Sequence, residues 1–262
     1  MAQRLQWFRE MPQSWVHWEP AVGGIEAHHS LCEALGVATC CVWAQNMPHA
    51  LKVTREPARR SWNLALWRRA REALPAELDA PVAMLWANMA LHHQPHPREM
   101  LRQWNSLLKT DGFVMFSCLG PDSLRELRGV YARMGWPDPA HGFTDMHDWG
   151  DMLVTSGFAE PVMDMERITL SFSSADALLA ELRELGRNLS VSRFPALRTQ
   201  RWREALCAAI ETHGERDEAG RLLLTFEVVY GHAFKPLPRV PMNAEQAVSL
   251  DTMRTMLRNG RT

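Results

Sequence analysis

A chain of 262 residues, 46% hydrophobic and 23% charged, has the composition of an ordinary globular protein with a sizeable core. Its formal net charge is -1, whereas most nucleic-acid-binding domains have an excess of basic residues. Its apolar runs stay well short of the ~20 residues of a transmembrane helix, and the first residues lack the apolar stretch of a signal peptide. We therefore expect a cytoplasmic protein with no nucleic-acid or membrane partner.

The cysteines argue against a disulfide framework and against a structural metal site. Their number is odd, and no two of them form a CxxC pair. We interpret all five as small buried hydrophobes, and we expect no bound metal. They are Cys32, Cys40, Cys41, Cys118 and Cys207.

The beginning of the chain has the pattern of a strand–helix–strand unit. The segment SWVHW over 14–18 predicts a short strand, and the segment EPAVGG over 19–24 predicts a turn. A helix is predicted over 25–35, ended by Gly36, and a β-branched strand follows over 37–42. This order is typical of a βαβ unit.

The same alternation continues through most of the chain. The near-continuous apolar run FVMFSCL over 113–119 is typical of a central parallel strand covered on both faces. In one helix, Ser173 and Asp176 have the spacing of a capping box. Further strands are predicted over 82–86, 113–119, 161–172 and 222–234, and helices over 55–78, 97–108, 121–134, 144–157, 173–186 and 202–213.

Alternating strands and helices with apolar central strands predict an α/β fold with a doubly wound, Rossmann-like parallel sheet. We expect a single domain over residues 1–262. It would carry a helical insertion over about 173–215, between the last two strands, and a C-terminal helical tail over about 243–259. In such a sheet, ligands bind at the carboxyl ends of the strands, near the point where the strand order reverses.

Four specific segments, in order, carry a family resemblance. They are WANMAL over 86–91, LLKTDGFVMFSCLGPDSLREL over 107–127, FTDMHDWGDMLVTSGF over 143–158 with PVMDM over 161–165, and FEVVYGHAFKP over 226–236. They resemble segments of the malonyl-[acyl-carrier-protein] O-methyltransferases of biotin synthesis. The resemblance implies a class I methyltransferase fold, S-adenosylmethionine as cofactor, and methyl transfer to the malonyl carboxylate on an acyl-carrier protein.

The resemblance also implies the cofactor-binding residues. Gly23 and Gly24 end the first turn, where only a bare backbone lets an adenosyl cofactor approach closely. Gln45 occupies the position at which the family has an acidic residue that binds the ribose. Asn88 and Met89 belong to the loop after the strand at 82–86.

The first turn departs from the family pattern V-L-D-x-G-x-G-x-G. Trp18 replaces the aspartate, and Pro20 and Val22 replace the first two glycines. Proline lacks an N–H, and a β-branched residue resists positive φ. Losing two or three charge-assisted hydrogen bonds, at ~1.5–3 kcal/mol each, weakens binding by roughly two to five powers of ten. The sequence therefore predicts weak or absent cofactor binding.

The substrate end departs from the family as well. The family has an active-site tyrosine in a longer leading segment, which has no counterpart here, and an arginine where this chain has Gly142. His141 could contact substrate, with a plain loop residue as the alternative, and Arg193 or Arg198 could supply a replacement cation for the substrate carboxylate. The insertion is rich in arginine, and a basic face there could dock an acidic acyl-carrier protein. A solvated helix face explains the same arginines.

Other histidines have competing interpretations. His92, His93 and His96 follow a strand, where one of them could border the cofactor pocket; a metal site and a plain loop are the alternatives. His28 and His29 are expected at the surface or partly buried. The alternative function is a non-catalytic methyltransferase-fold protein that binds an acyl-carrier protein or another partner. A third possibility is an unrelated small-ligand binder with a cleft rich in tryptophan and methionine.

Overall fold

The computed structural model describes residues 1, 5, 10–36, 38–60, 74–75, 81–185, 188, 190 and 193–238. The tail predicted over about 243–259 lies outside these residues, as does most of the helix predicted over 55–78. The described part of that helix begins earlier than expected, at Met47.

Strands of the described chain form one seven-stranded sheet in the order β3-β2-β1-β4-β5-β7-β6. The strands from β3 to β5 run parallel, whereas β7 runs antiparallel to both of its neighbours. The strands are β1 (Ser14–Trp18), β2 (Thr39–Trp43), β3 (Leu74–Pro75), β4 (Val82–Ala87), β5 (Leu108–Leu119), β6 (Ala159–Phe172) and β7 (Leu222–Phe234).

This sheet confirms the Rossmann-like α/β prediction, except that the expected wholly parallel arrangement is wrong at β7. An apolar run reports that a strand is buried, but it does not report the direction in which the strand runs. The short strand β3 lies inside the helix predicted over 55–78, so that prediction is wrong at Leu74 and Pro75.

The helices cover both faces of the sheet. They are α1 (Pro20–Gly23), α2 (Ile25–Leu35), α3 (Met47–Arg60), α4 (Pro97–Leu107), α5 (Arg125–Arg133), α6 (Met146–Thr155), α7 (Ala175–Glu184) and α8 (Gln200–His213). A 3-10 turn spans Leu91–His93. No helix in the described ranges is both long and apolar enough to span a membrane.

Three local predictions are corrected. The turn predicted over 19–24 contains the one-turn helix α1, for which Pro20 supplies a preset φ at the first position. The strand predicted over 113–119 begins earlier, at Leu108, and within it Asp111 takes a φ of 62° and donates its N–H to the carbonyl of Lys235. Helix α7 is capped by Ser174, whose Oγ accepts the N–H of Ala177, and not by Ser173.

Side chains of β1 alternate between the two faces of the sheet, as a strand requires. Trp15 packs with Leu31 of α2 and Met84 on one face. Trp18 packs with Trp104 of α4 on the opposite face. A third apolar cluster joins α5, α7, α8 and β7. Five tryptophans of the described residues are fully buried in the core: Trp15, Trp18, Trp86, Trp104 and Trp149.

Candidate functional site

The strand order reverses between β1 and β4, so the loops that follow these two strands frame the expected ligand site. β1 pairs with β2 on one side and with β4 on the other. Residues 19–24, 44–46, 88–93 and 120–124 follow the four central strands and form what we call the carboxyl-terminal edge.

At this edge, Glu19 sits where β1 and β2 end. Its N–H donates to the carbonyl of Trp43 at 2.7 Å, and its Oε1 accepts the N–H of Gln45 at 2.7 Å. Glu19 takes a left-handed backbone, with φ 51° and ψ 54°, which turns the chain at the end of β1. The exposed Gln45 therefore lies at the predicted edge, but a carboxylate from the preceding loop stands beside it.

Sequence reasoning missed Glu19 because family resemblance directs attention to the residue after β2. The one signal for it was an acidic side chain immediately after the first strand. One N–H occupies one of the roughly four lone-pair sites of a carboxylate, so Glu19 retains acceptor capacity for hydroxyl groups.

The first turn and the loop after β4 are in direct contact. The Asn88 side-chain amide donates to the carbonyl of Gly23. A Cβ added to Gly23 would lie 2.6 Å from the Asn88 carbonyl oxygen. Only glycine fits this approach. Gly24 takes a φ of 97°, and a Cβ there would meet no atom within 4 Å.

Ser117 joins the loop after β4 to strand β5. Its hydroxyl donates to Asn88 Oδ1 at 2.5 Å and accepts the N–H of Met89 at 3.2 Å. Met89 takes a φ of 52°, which turns its N–H toward that hydroxyl. The predicted cofactor residues Gly23, Asn88 and Met89 thus belong to one hydrogen-bonded network with Ser117. Ser117 itself is buried in the strand, as expected.

The residues that replace the family's first-turn aspartate and glycines have different surroundings. Trp18 is fully buried within the core and stacks on Trp43. Pro20 is buried, while Val22 is 57% exposed. Val22 therefore points away from the protein interior. The buried indole of Trp18 occupies the position at which the family has an aspartate.

A second group of side chains extends the edge toward the segment before α6. His141 Nε2 donates to the carbonyl of His92 at 3.1 Å, and the His141 ring lies edge-on to Phe143 at 4.7 Å between centroids. Arg128 donates to the carbonyl of His141 at 2.7 Å. These contacts hold the segment from residue 139 to 143 against the loop after β4.

Two histidines at this edge, His92 and His93, have lowered pKa values. Burial, together with His93 and His141, lowers the pKa of His92 to about 3. His92 Nδ1 accepts the N–H of Leu119 at 3.3 Å, which requires an unprotonated nitrogen. Burial and then His141 also lower the pKa of His93. Since His141 uses its Nε2–H for the His92 carbonyl, its Nδ1 carries a lone pair and no proton in the neutral form.

The two arginines expected to hold a carboxylate are exposed. The Arg198 guanidinium stacks on Phe194 at 3.8 Å and on Trp202 at 4.4 Å from the ring centroids. Arg193 donates to the carbonyl of Ser190 at 3.4 Å. Nearby Asn188 donates to the carbonyl of Pro139, so this part of the chain adjoins the segment that carries His141.

Two predictions about histidines and cysteines are corrected here. His28, expected at or near the surface, is only 2% exposed. Cys32, Cys41 and Cys207, expected to be buried, are only partly buried. His28, Cys32 and Cys40 also lie together as a group that could hold a metal ion, which the sequence did not predict. In the described residues, His92, His93 and His96 form no such group. Sequence spacing could not reveal the first group because Cys40 joins it from another element.

The hydrogen-bonding groups at one end of the edge fit a nucleoside. The Glu19 carboxylate and the exposed Gln45 side chain can accept hydrogen bonds from ribose hydroxyls, and the open backbone at Gly24 leaves room nearby. At the other end, the Gly23–Asn88 contact occupies the gap between the first turn and the loop after β4.

Comparison with known proteins gives several similar sequences, although no protein-family model matches the chain. A malonyl-[acyl-carrier protein] O-methyltransferase of Gallionella capsiferriformans is 40% identical over 170 residues, covering 64% of this chain and 57% of the relative. A protein of that name from Laribacter hongkongensis is 39% identical over 158 residues, covering 60% and 52%. This chain therefore spans just over half the length of these relatives. One from Xylella fastidiosa is 30% identical over 203 residues, covering 76% and 68%.

Two solved structures share the fold. One is an assigned methyltransferase of Bacillus halodurans C-125, with a TM-score of 0.55 and 14% identity. The other is the YcgJ protein of Bacillus subtilis, with a TM-score of 0.57 and 11% identity. Each match covers 90% of this chain and 98% of the solved chain. Together with the strand order, they identify the fold as the Rossmann-like class I methyltransferase fold.

Proposed function

The chain belongs to the malonyl-[acyl-carrier protein] O-methyltransferase family, and from that premise we propose that it transfers a methyl group from S-adenosylmethionine to the free carboxylate of a malonyl group on an acyl-carrier protein. When bound, the cofactor supplies an electrophilic methyl group. The reaction then needs little acid–base chemistry, so the protein's task is to position the carboxylate and exclude water. We also expect a cytoplasmic location.

The observation that carries the proposal is the placement of Glu19. Its carboxylate lies between the ends of β1 and β2, where it can accept hydrogen bonds from ribose hydroxyls. Gln45 and the open backbone of Gly24 would lie alongside the nucleoside. Asn88 and Met89 would border it from the loop after β4. In this assignment Glu19 takes over the role of the acid that the family carries after its second strand.

We further propose that cofactor affinity is weak. Trp18 offers no acceptor at the end of β1, and Gly23 must separate from Asn88 before a ligand can enter between their loops. Losing two or three charge-assisted hydrogen bonds lowers the affinity for the cofactor by roughly two to five powers of ten.

At the substrate end, we propose that an arginine of the insertion over about 173–215 binds the malonyl carboxylate. His141 donates its Nε2–H to the carbonyl of His92 in the loop after β4, so we assign it a place in the lining of the substrate pocket. Arg193 and Arg198 are exposed and carry permanent charge. The same arginines would face an acidic acyl-carrier protein.

A second candidate function is a non-catalytic protein of this fold that binds an acyl-carrier protein. The specific observation in its favour is the direct contact of Gly23 with Asn88, which closes the gap that a cofactor would enter.

Calorimetric titration with S-adenosylmethionine, and separately with S-adenosylhomocysteine, distinguishes the two. Transfer of labelled methyl groups to malonyl-acyl-carrier protein is then measured at saturating cofactor. Glu19→Gln should weaken cofactor binding about tenfold or more, because it removes a charge-assisted acceptor. Glu33→Gln, on the exposed face of α2, is the matched control.

Saturable binding with methyl transfer supports the enzyme. No heat at millimolar ligand with folded protein contradicts it. Stoichiometric binding of the carrier protein under those conditions then supports the non-catalytic candidate. Equal cofactor binding by Glu19→Gln and Glu33→Gln would remove Glu19 from the site.

A further inference from the structure

Four buried or half-buried side chains with metal-binding atoms meet on the α2 face of the sheet, away from the carboxyl-terminal edge. His17 comes from β1, His28 and Cys32 from α2, and Cys40 from β2. His17, His28 and Cys40 are buried, and Cys32 is half-buried. The proposed methyltransferase function makes no use of them.

Three of these side chains have the geometry of a metal site. The ligating atoms of His28, Cys32 and Cys40 all lie within 4.8 Å of one another. Cys32 Sγ lies 3.6 Å from His28 Nε2. With metal–sulfur bonds of ~2.3 Å and metal–nitrogen bonds of ~2.0–2.1 Å, tetrahedral ligands stand roughly 3.3–3.8 Å apart. The observed separation therefore needs little adjustment.

The backbone explains why these atoms converge. His28 and Cys32 are four residues apart on α2, so they share one face of the helix. Cys40 is the second residue of β2, and its side chain belongs to the same apolar cluster as Leu31 and Leu35 of α2. The neighbouring Cys41 packs on the opposite face of the sheet.

His17 completes the arrangement from outside the ligand set. Its Nδ1 lies 3.0 Å from Nδ1 of His28, which leaves His28 Nε2 directed at Cys32. A histidine that binds metal through one nitrogen usually donates its other N–H to a nearby acceptor, which sets the ring's orientation. His17 is 0% exposed, and its own Nε2 has no hydrogen-bond partner. In the neutral tautomer with its proton on Nε2, the Nδ1 of His17 can serve as that acceptor.

We propose that His28 Nε2, Cys32 Sγ and Cys40 Sγ bind one zinc ion, with His17 as a positioning residue. Two thiolates and an imidazole are ligands that favour zinc among the common divalent ions. Binding releases the two thiol protons to solvent, and no oxidant or reductant is required. A solvent molecule or another side chain takes the fourth coordination position.

The site would stabilise the strand–helix–strand unit of β1, α2 and β2. The ion would tie α2 to β2, and the contact between His28 and His17 would add β1. Binding to the folded state alone increases the free energy of unfolding by RT ln(1 + [Zn]/Kd). This unit also carries the first turn, so the ion would hold in place the loop that departs most from the family pattern.

The test uses the reduced full chain and does not depend on methyl transfer. Native mass spectrometry should find one zinc ion per chain, and Co²⁺ should give thiolate-to-metal charge-transfer absorption. The melting temperature should rise with zinc concentration. Cys32→Ser and Cys40→Ser should each lower zinc affinity at least tenfold and abolish or shift the charge-transfer band. Cys41→Ser, on the other face of β2, should change neither.

His17→Gln tests the positioning role. It should weaken zinc binding about 10–100-fold and shift the visible Co²⁺ bands, which a merely structural role would leave unchanged. The proposal is overturned if reduced wild-type protein retains no zinc and shows no charge-transfer band with Co²⁺. It is equally overturned if Cys41→Ser weakens binding as much as Cys40→Ser, or if the isolated protein holds Cys32 and Cys40 as a disulfide that reduction does not convert to a zinc-binding form.

Discussion

Trp18 and Trp43 stack face to face at the ends of β1 and β2, with ring centroids 3.6 Å apart and planes inclined by 10°. Trp104 of α4 packs edge-on against Trp18 at 5.7 Å. The position at which the family carries an aspartate is therefore the centre of an aromatic cluster, and it contributes to stability instead of ligand binding.

We predict that Trp18→Asp, which restores the family residue, destabilises the protein by about 3–5 kcal/mol or more. Removing a buried tryptophan leaves a cavity, and the new carboxylate would be buried without a partner. Urea unfolding followed by circular dichroism measures this loss. Trp18→Phe keeps an apolar ring and should lose clearly less. Equal stability of the two variants would show that the aromatic cluster does not support the fold.

Gly23→Ala is predicted to lower the free energy of unfolding by about 1–3 kcal/mol. The added Cβ would lie 2.6 Å from the backbone carbonyl oxygen of Asn88, so one loop must move. Gly129→Ala is the matched control, because it lies within α5 and a Cβ there meets no atom within 4 Å. It should stabilise the protein by about 0.5–1 kcal/mol. A neutral Gly23→Ala would mean that the Gly23–Asn88 contact opens freely.

Glu126 is predicted to make stability depend on pH. Burial raises the pKa of this carboxyl, but hydrogen bonds from the hydroxyl and N–H of Thr225, and then from Arg125, outweigh burial and lower the pKa below 4.5. Because this pKa is lowered in the folded state, the carboxylate's contribution to the free energy of unfolding is fully present above the unfolded-state pKa. That contribution is lost as pH falls through the folded-state pKa.

Glu126→Gln should therefore destabilise the protein by about 1.5–3 kcal/mol at neutral pH, since its amide cannot accept both bonds from Thr225. The difference from wild type should narrow as pH falls below about 4. Urea unfolding at a series of pH values measures it, with the exposed Glu181→Gln as control. A difference that stays constant with pH would contradict the assignment.

Ser174→Ala is predicted to cost about 0.5–2 kcal/mol, because its Oγ accepts the N–H of Ala177 at 3.2 Å and caps α7. Ser173→Ala should have little effect, since Ser173 is exposed and lies outside the helix. Thermal melting of both variants decides between the two serines. A larger loss for Ser173→Ala would favour the capping box expected from the sequence spacing.

Several features that depend on local pattern were found where the sequence placed them. The run over 113–119 lies in β5, and Gly36 ends α2. These features depend on neighbours within one or two turns, or on whether a segment is buried, and both are readable along the chain. The four family segments similarly identified the fold, because each carries a specific order of residues.

Relationships between distant residues were decided by the tertiary structure alone. Glu19 meets Gln45 across 26 positions, and Asn88 meets Gly23 across 65. His28 and Cys32 share a helix face that sequence spacing could predict, yet Cys40 reaches them only because β2 runs beneath that helix. The direction of β7 was undetermined for a related reason: periodicity records which face of an element is buried, whereas pairing and packing decide what each face meets.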